Sequence, residues 1–258
     1  MVYMLNNLKR YRFLFEELVK RDFKAKYKRT VLGIIWSILS PLLTLLVMTV
    51  VFQKFFGRDT PHFTIYLFAG NLLYTYFTDA TNGGMRSLMS NANIFTKVNV
   101  PKYMFLLSRN VQAFVNFAIT LVVFFIFVLF DGLPIRWTFI LLLYPIACLT
   151  IFNIGVGMIL SALYVFFRDI EYLYSVFTLM LMYVSAIFYN INVYDIKIQY
   201  LYYLNPLYVY IRYFRKIVID NSIPMPSFHL LCAFYALVML AIGCWMYKKY
   251  NQKFLYYV

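Results

Sequence analysis

The sequence predicts an all-α membrane protein with six transmembrane helices, an N-terminal amphipathic interfacial helix and a re-entrant helical hairpin before the last span. Composition predicts this class first, because 63% of the 258 residues are hydrophobic and only 13% are charged. Soluble domains are about half apolar and about one quarter charged. The second observation is that apolar residues form long runs separated by short polar segments, which leaves no room for a water-soluble domain of about 50 residues or more.

Residues 1–30 predict a cytoplasmic interfacial helix. Apolar and basic side chains fall on different sides of a helix drawn through residues 5–23, and nine basic residues precede the first apolar run. The positive-inside rule places such a start in the cytoplasm, where it would meet membrane lipids and not nucleic acid. No cleavable signal peptide is predicted, because the apolar run that begins near Val31 is too long for one.

Residues 31–189 predict spans 1 to 5, each long enough to cross the hydrocarbon core. Span 1 contains Pro41, which is expected to kink it, and span 4 contains Gly155 and Gly157, which let neighbouring helices approach closely. Short polar or turn segments separate the spans. The predicted ranges are 31–52, 63–85, 103–130, 137–166 and 172–189.

Residues 190–227 predict a re-entrant external segment. Charged residues and prolines interrupt this tyrosine-rich stretch, so a full crossing is unfavourable. Its two half-length apolar pieces, 198–203 and 207–219, suit short helices that are buried in protein or line water. A sixth span over 228–247 and a cytoplasmic tail over 248–258 complete a single transmembrane domain that covers residues 1–258.

The distribution of basic residues supports cytoplasmic N- and C-termini. With six spans, 17 Lys and Arg residues lie inside and seven lie outside. Four of the outside seven belong to the proposed re-entrant segment, so the topology depends most on that segment.

Catalytic, nucleotide-binding and metal-binding motifs are absent from the sequence. No P-loop motif is present, so energy from ATP must come from another subunit. The two histidines and three cysteines lack metal-ligand spacing, and no metal site is predicted. Two ionisable residues lie inside predicted spans and are functional candidates for that reason: Asp79 and Arg109. The alternative for both is a structural role near a helix end.

Four short segments follow one another in a distinctive order. Residues 26–41 combine a basic run with Leu-Gly, Trp and a downstream Pro, and residues 91–101 form a polar elbow. Residues 167–170 read Phe-Arg-Asp-Ile, and residues 204–207 read Leu-Asn-Pro-Leu, followed by Arg212. Together these segments resemble the type-2 ABC exporter permeases of the O-antigen and teichoic acid type, which move polysaccharides and polyol phosphates across bacterial membranes.

The resemblance implies a permease in the bacterial cytoplasmic (inner) membrane that exports a lipid-linked polysaccharide. It implies a second copy of the chain and two copies of a separate nucleotide-binding subunit, which would hold ATP and Mg. The chain itself is then not an enzyme and carries no cofactor. An exporter of drugs or small lipids is an alternative. An integral membrane enzyme acting on lipid-linked sugars is another, but its carboxylates should cluster on one side, whereas here they are scattered.

By the same resemblance, the elbow and the loop after span 4 would dock on the ATPase. The elbow has a few apolar anchors among polar residues, which suits transmission of a rigid-body push. A plain connecting loop is the alternative. We expect Phe95→Asp to block transport and coupling while membrane insertion is kept. The residues assigned to coupling are Ile94, Phe95, Lys97, Pro101, Arg168 and Asp169.

Aromatic residues suggest a glycan substrate, since 25 Tyr and 27 Phe could provide ring faces along a pore. An aromatic belt at the membrane surfaces and a codon bias would explain the same excess. The predicted channel residues are Trp36, Tyr172, Phe177 and Tyr183. At the external mouth, Arg212 and Arg215 could attract phosphate or an acidic glycan, or pair with lipid headgroups.

Overall fold

Helices make up nearly all of the described part of the chain, in which there is no β-strand. The computed structural model describes residues 11–27, 33–56, 61–98, 100–193 and 195–257. Residues 1–10 and 28–30 of the predicted N-terminal helix, and residues 31–32 of predicted span 1, therefore lie outside the described residues. The helices are α1 (Arg12–Tyr27), α2 (Trp36–Phe56), α3 (Phe63–Arg86), α4 (Ala92–Phe95), α5 (Tyr103–Phe130), α6 (Leu143–Phe166), α7 (Ile170–Val184), α8 (Ile196–Tyr202), α9 (Pro206–Val218) and α10 (Pro226–Tyr250).

Four of the described helical segments are long and apolar enough to cross a membrane: Trp36–Gln53 in α2, all of α5, Trp137–Phe166, which includes α6 and a preceding 3-10 turn, and all of α10. α3 has 24 residues but carries many polar side chains, and α7 has only 15 residues. The protein is therefore a multi-pass membrane protein. The prediction of six spans requires α3 and α7 to cross as well.

The helices that run alternately up and down in the bundle are α2, α3, α5, α6, α7 and α10. We call one end of the bundle the elbow end, where residues 87–102, 167–169 and 251–257 lie. We call the other the cap end, where residues 131–136 and 185–225 lie. Contacts between distant segments define each end: Arg86 donates to Glu171 at the elbow end, and the rings of Phe52 and Phe188 stack 4.5 Å apart at the cap end.

α3 is the central helix of the bundle. It packs against α2, α5, α6, α7 and α9. Glycines allow the closest helix approaches: a Cβ on Gly84 would lie 3.0 Å from the Cα of Gly157, and a Cβ on Gly155 would lie 2.5 Å from the backbone of Met239 and Leu240. The prediction that Gly155 and Gly157 permit close packing is confirmed. The two glycines face different partners, α10 and α3.

α1 packs one face on the elbow end of α5. Leu18 and Asp22 are buried there, whereas Phe13 is 79% exposed. Ion pairs within the helix, Arg12 with Glu16 and Lys20 with Glu17, lie on the exposed side. The helix thus has a buried and an exposed face, while its position in the membrane interface stays a prediction.

At the cap end, α8 and α9 lie where the two short apolar pieces were predicted. α9 begins at an Asn-Pro pair, because the side chain of Asn205 accepts hydrogen bonds from the backbone N–H of Leu207 (3.0 Å) and Tyr208 (3.4 Å), and Pro206 fits the first turn. α9 is almost entirely buried, whereas no residue of α8 is. How deeply they enter a membrane stays a prediction.

Two predicted boundaries differ from the structure. α7 ends at Val184, five residues before the predicted end of span 5, because Ala186 takes a left-handed backbone conformation (φ 52°) that ends the helix. Span 1 starts as a helix at Trp36 and continues through Pro41 to Phe56.

The C-terminal segment is packed against the bundle. After α10, the ring of Phe254 is fully buried in a cluster at the elbow end. Lys102 donates a hydrogen bond to the carbonyl of Asn251. The predicted tail is therefore an integral part of this end of the fold.

Candidate functional site

A cleft of about 420 Å³ opens between α2, α3 and α5, next to the first half of α2 and the middle of α3 and α5. Polar groups within a membrane span are costly unless they meet other polar groups or water. Their concentration here makes the cleft the candidate functional site of the described residues. The polar lining residues are Ser37, Ser40, Thr44, Asn71, Thr75, Asp79, Asn116 and Thr120.

One face of α3 continues this polar lining along the helix. We call it the polar stripe; its members recur every three to four residues, as one helical face requires: Asn71, Thr75, Asp79, Asn82 and Arg86. Thr75, Asp79 and Arg86 are exposed. The sequence analysis singled out only Asp79, although the spacing of the polar residues was a signal for the whole stripe.

α2 and α7 flank the polar stripe on its two sides. α2 borders it through the cleft. α7 is held against α3 by two tyrosines: the hydroxyl of Tyr74 donates to the carbonyl of Thr178 (2.9 Å), and that of Tyr174 donates to Oγ1 of Thr81 (2.6 Å). The stripe is therefore the floor of a groove with α2 and α7 as walls.

Aromatic side chains close this groove at the cap end. Phe52 at the end of α2 stacks on Phe188, which follows α7. The ring of Tyr183 lies 5.9 Å from that of Phe188. The end of α2 and the segment after α7 therefore meet at the cap end.

Of the four predicted channel residues, only Trp36 lines the cleft. Tyr172, Phe177 and Tyr183 lie on α7 and are exposed on the single chain, Phe177 with its ring 6.2 Å from Tyr174. The structure thus brings Trp36 together with the polar stripe, and it leaves the three α7 residues on the neighbouring wall.

The elbow combines a buried anchor with an exposed surface. Phe95 is 4% exposed and packs 6.0 Å from Phe105, measured between ring centroids. Ile94 and Pro101 are half-buried, whereas Lys97 is exposed and so is Val98, which the sequence analysis did not name. Arg168 and Asp169 are exposed in the turn between α6 and α7. Since Phe95 lies inside the elbow, an Asp at this position would disrupt the elbow itself.

A buried carboxylate joins α1, α5 and the elbow. Asp22 is 1% exposed; it accepts a hydrogen bond from Ser108 (3.0 Å) and lies 3.4 Å from the guanidinium of Arg109. Arg21 donates both to Asp22 (2.8 Å) and to the side chain of Asn91 in the elbow (2.6 Å). These contacts give Arg109 a structural role and tie three segments into one body. Asp22 is not predicted from the sequence, because its only signal there is a lone acid in a basic stretch.

Lys102 is the other buried charge of the elbow. Burial lowers the pKa of its amine. Its Nζ lies 5.8 Å from the ring of Phe95 and 5.5 Å from that of Phe254, besides the bond to Asn251. The cation therefore connects the elbow to the C-terminal segment through aromatic rings and a carbonyl.

The predicted mouth residues Arg212 and Arg215 have different surroundings at the cap end. Arg215 is 7% exposed and donates to the carbonyls of Tyr66, Ala186 and Ile187 at 2.8 to 3.1 Å. These hydrogen bonds from Arg215 therefore attach the C-terminal end of α7 to α3 and α9. Arg212 is half-buried among aromatic rings. Within the described residues, no three His, Cys, Asp or Glu side chains form a metal site.

The family model of the ABC-2 type transporters matches residues 14–219. The chain therefore belongs to the ABC-2 type transporter family. It is similar to the O-antigen export system permease protein RfbA of Klebsiella pneumoniae, with 26% identity over 94% of this chain and 95% of the relative. RfbA of Myxococcus xanthus is 25% identical over 98% of each chain, and the polysialic acid transport protein KpsM of Escherichia coli is 23% identical over 93% and 94%.

Proposed function

We propose that this chain is the permease subunit of an ATP-driven exporter that moves a lipid-linked polysaccharide, of the O-antigen, capsule or teichoic-acid-like kind, across the cytoplasmic membrane. The observation that carries the proposal is the polar cleft and stripe within an otherwise apolar bundle. Hydroxyl and amide side chains suit a hydroxyl-rich polymer, and the rings of Trp36 and Phe117 offer faces for sugar rings. Relatives of nearly the same length are named for O-antigen, polysialic acid and capsule polysaccharide export.

A second copy of the chain completes the channel in this proposal. The single chain leaves α2 and α7 with exposed apolar faces on both sides of the polar stripe. A twofold-symmetric partner packed on these faces would bring two stripes opposite each other. The two grooves would then form one hydrated path shielded from lipid.

Two copies of a nucleotide-binding subunit, carrying ATP and Mg, supply the energy in this proposal. The elbow end faces the cytoplasm, as the excess of basic residues favours. The ATPase contacts the exposed side chains of Lys97, Val98, Arg168 and Asp169. ATP-driven closure moves the elbow, α1 and the start of α5 together, because Arg21 bonds the elbow and Asp22 bonds α5. This motion widens the groove to admit the lipid-linked end of the polymer.

Copurification tests the assembly. We expect the tagged chain, expressed with its genomic neighbours and purified in mild detergent, to carry an equimolar P-loop ATPase. Depletion of the chain in cells should then remove surface polysaccharide and accumulate the lipid-linked polymer inside. Drug sensitivity without a glycan defect would instead favour an exporter of drugs or small lipids, and absence of any ATPase would contradict the proposal.

Surface variants of the elbow test docking separately from folding. Val98→Asp and Lys97→Glu should lower transport and substrate-stimulated ATP hydrolysis several-fold without changing the melting temperature, since both side chains are exposed. Tyr256→Asp, an exposed position in the C-terminal segment, is the matched control. Full transport by both elbow variants would contradict docking at this surface.

Cysteine cross-linking tests the second copy. With Cys244 replaced by Ser, a cysteine at Val47 on α2 or Phe177 on α7 should form dimers in native membranes upon mild oxidation, since both positions are exposed on the groove walls. Leu237→Cys, an exposed position on α10, should not. Equal cross-linking at all three positions would indicate random collision and not an interface.

A further inference from the structure

A second cavity lies at the cap end, separate from the cleft. Its volume is about 180 Å³, and it is bounded by the start of α3, residues 190–191 and α9. The charged lining comprises three cations and one anion: Arg212, Arg215, Lys216 and Asp220. We call this cavity the cap pocket.

Arg215 places an uncompensated positive charge in the wall of the cap pocket. Its partners are the carbonyls described above and the ring of Tyr66, 3.4 Å from the guanidinium carbon. Carbonyl dipoles and a ring face satisfy the N–H donors and stabilise the cation, but they carry no net charge. The positive potential of Arg215 therefore extends into the pocket.

Aromatic rings surround the guanidinium group of Arg212 and hold it in place. The guanidinium carbon lies 5.4 Å from the ring of Tyr203, 5.8 Å from that of Tyr208 and 5.9 Å from that of Phe228. One N–H group donates to the hydroxyl of Tyr208. Among the described residues, no carboxylate lies within 4.0 Å of Arg212 or Lys216. Several guanidinium and ammonium donors thus stay open to a ligand.

Asp220 is the anion of the pocket, and it neutralises one of the three cations at most. Desolvation raises the pKa of its carboxyl, and the positive charges of Lys216 and Arg212 oppose that shift. Three cations against one anion therefore leave the pocket with an excess of at least two positive charges. Such a cavity favours an anion.

We propose that the cap pocket binds a phosphate ester group through Arg212 and Lys216, with Arg215 as the buried charge behind them. A guanidinium fork matches two oxygens of a phosphate, and an ammonium group adds a compact charge beside it. The pocket is several times the ~30 Å³ share of one water molecule in the liquid, so a phosphate group fits. The phosphate belongs either to a soluble ester, such as a phosphate in an exported polymer, or to a lipid headgroup. The site does not depend on the proposed transport.

Ligand titration of the whole chain tests this site. The protein is purified in a neutral detergent, and sn-glycerol 3-phosphate is titrated while its phosphorus resonance is followed. Glycerate, which carries a carboxylate on the same carbon skeleton, is the control and is added as a competitor of the phosphate ester. We expect saturable binding of the phosphate ester, weakened at least tenfold in Arg212→Gln/Lys216→Gln. Lys197→Gln on the exposed α8 is the matched charge control and should bind normally.

A second arm distinguishes the lipid source. Native mass spectrometry compares the lipid retained from nanodiscs of phosphatidylglycerol with that from nanodiscs of uncharged diacylglycerol-based glycolipid. Retention of phosphatidylglycerol that is lost in the double variant, without glycerol phosphate binding, assigns the site to a headgroup. The proposal is overturned if glycerate binds as tightly as glycerol 3-phosphate. It is also overturned if glycerol 3-phosphate and phosphatidylglycerol bind the double variant as well as they bind the wild type. An unchanged melting temperature of the double variant shows that its fold is intact.

Discussion

α6 and α10 are packed backbone to backbone, whereas α2 and α7 lie loosely on the bundle. In the Trp137–Phe166 span, 44% of the most apolar stretch is buried, compared with 6% in Trp36–Gln53. Gly155 lies directly against the backbone of α10, and most large side chains of α2 are exposed. The bundle thus consists of a tight scaffold and two loosely attached walls, and the walls are the helices that border the polar stripe.

Different forces hold these two regions. Apolar side chains gain little by leaving lipid for protein, so helices in a membrane associate through close backbone packing or hydrogen bonds. The scaffold is held by close backbone packing at its glycines. α7 is held by hydrogen bonds and an ion pair: Tyr74 and Tyr174 act in its middle, Arg215 at the cap end and the Arg86–Glu171 pair at the elbow end. Hydrogen-bonded walls can be repositioned without opening the scaffold.

The largest expected effect is on the scaffold. Gly155→Leu would place side-chain atoms where the backbone of Met239 and Leu240 already lies, so α6 and α10 must separate. Overpacking typically costs about 1–3 kcal/mol and can cost more where backbone must move. We expect little folded protein by fluorescence-detected size exclusion. Gly83→Ala, whose Cβ would make only an ordinary 3.6 Å contact, should behave like wild type.

The next effect concerns the attachment of α7 at the cap end. Arg215→Met should lower the free energy of unfolding by roughly 3 kcal/mol, because the carbonyls of Tyr66, Ala186 and Ile187 lose their donor while buried. Thermal unfolding in detergent measures it. Arg212→Met is the control and should cost much less, since its guanidinium is only half-buried. Equal losses in the two variants would contradict a special role of Arg215.

A loss of transport is expected at the polar stripe. Asp79→Leu should lower export at least tenfold, because an apolar side chain then interrupts the polar lining of the cleft. Export is measured by surface glycan after induction in a depleted strain. Val122→Leu on the exposed, apolar side of α5 should leave export unchanged.

The smallest effect tests a single wall bond. Tyr174→Phe removes the hydroxyl that donates to Thr81, and such bonds in membranes are worth about 0.6 kcal/mol on average. A drop of one or two degrees in melting temperature is expected. Tyr172→Phe, on the exposed side of α7, should give none. A large loss in the first variant would mean that α7 is held more tightly than its packing indicates.

Local signals predicted much of the helix content. Tyr103 to Phe130 was predicted to the residue, and the Asn-Pro start of α9 follows from capping chemistry. The C-terminal boundary of α7 was missed, because Arg215, distant in sequence, binds the carbonyls that end it. Phe254 was taken for part of a tail, since a single ring after three lysines carries no periodic signal.

The candidate site was less predictable than the fold. Trp36 and Asp79 were identified, but the three tyrosine and phenylalanine positions on α7 do not line the cleft of the single chain. An aromatic residue in a span can face lipid, a partner or a pore equally well. Its residue type alone therefore does not determine which of these the side chain faces. Asp22 escaped notice for a similar reason: its burial depends on Ser108 and Arg109, which lie more than 80 residues away in sequence.

The sequence alone determined that the chain is a helical, multi-pass membrane protein, because apolar run length and charge distribution are local properties. Only the tertiary structure decided that Asn71, Thr75 and Asp79 face a common cleft, that Arg215 is buried among carbonyls, and that Asp22 joins α1 to α5. These facts depend on which helix faces which, and that choice depends on packing between residues far apart in the chain.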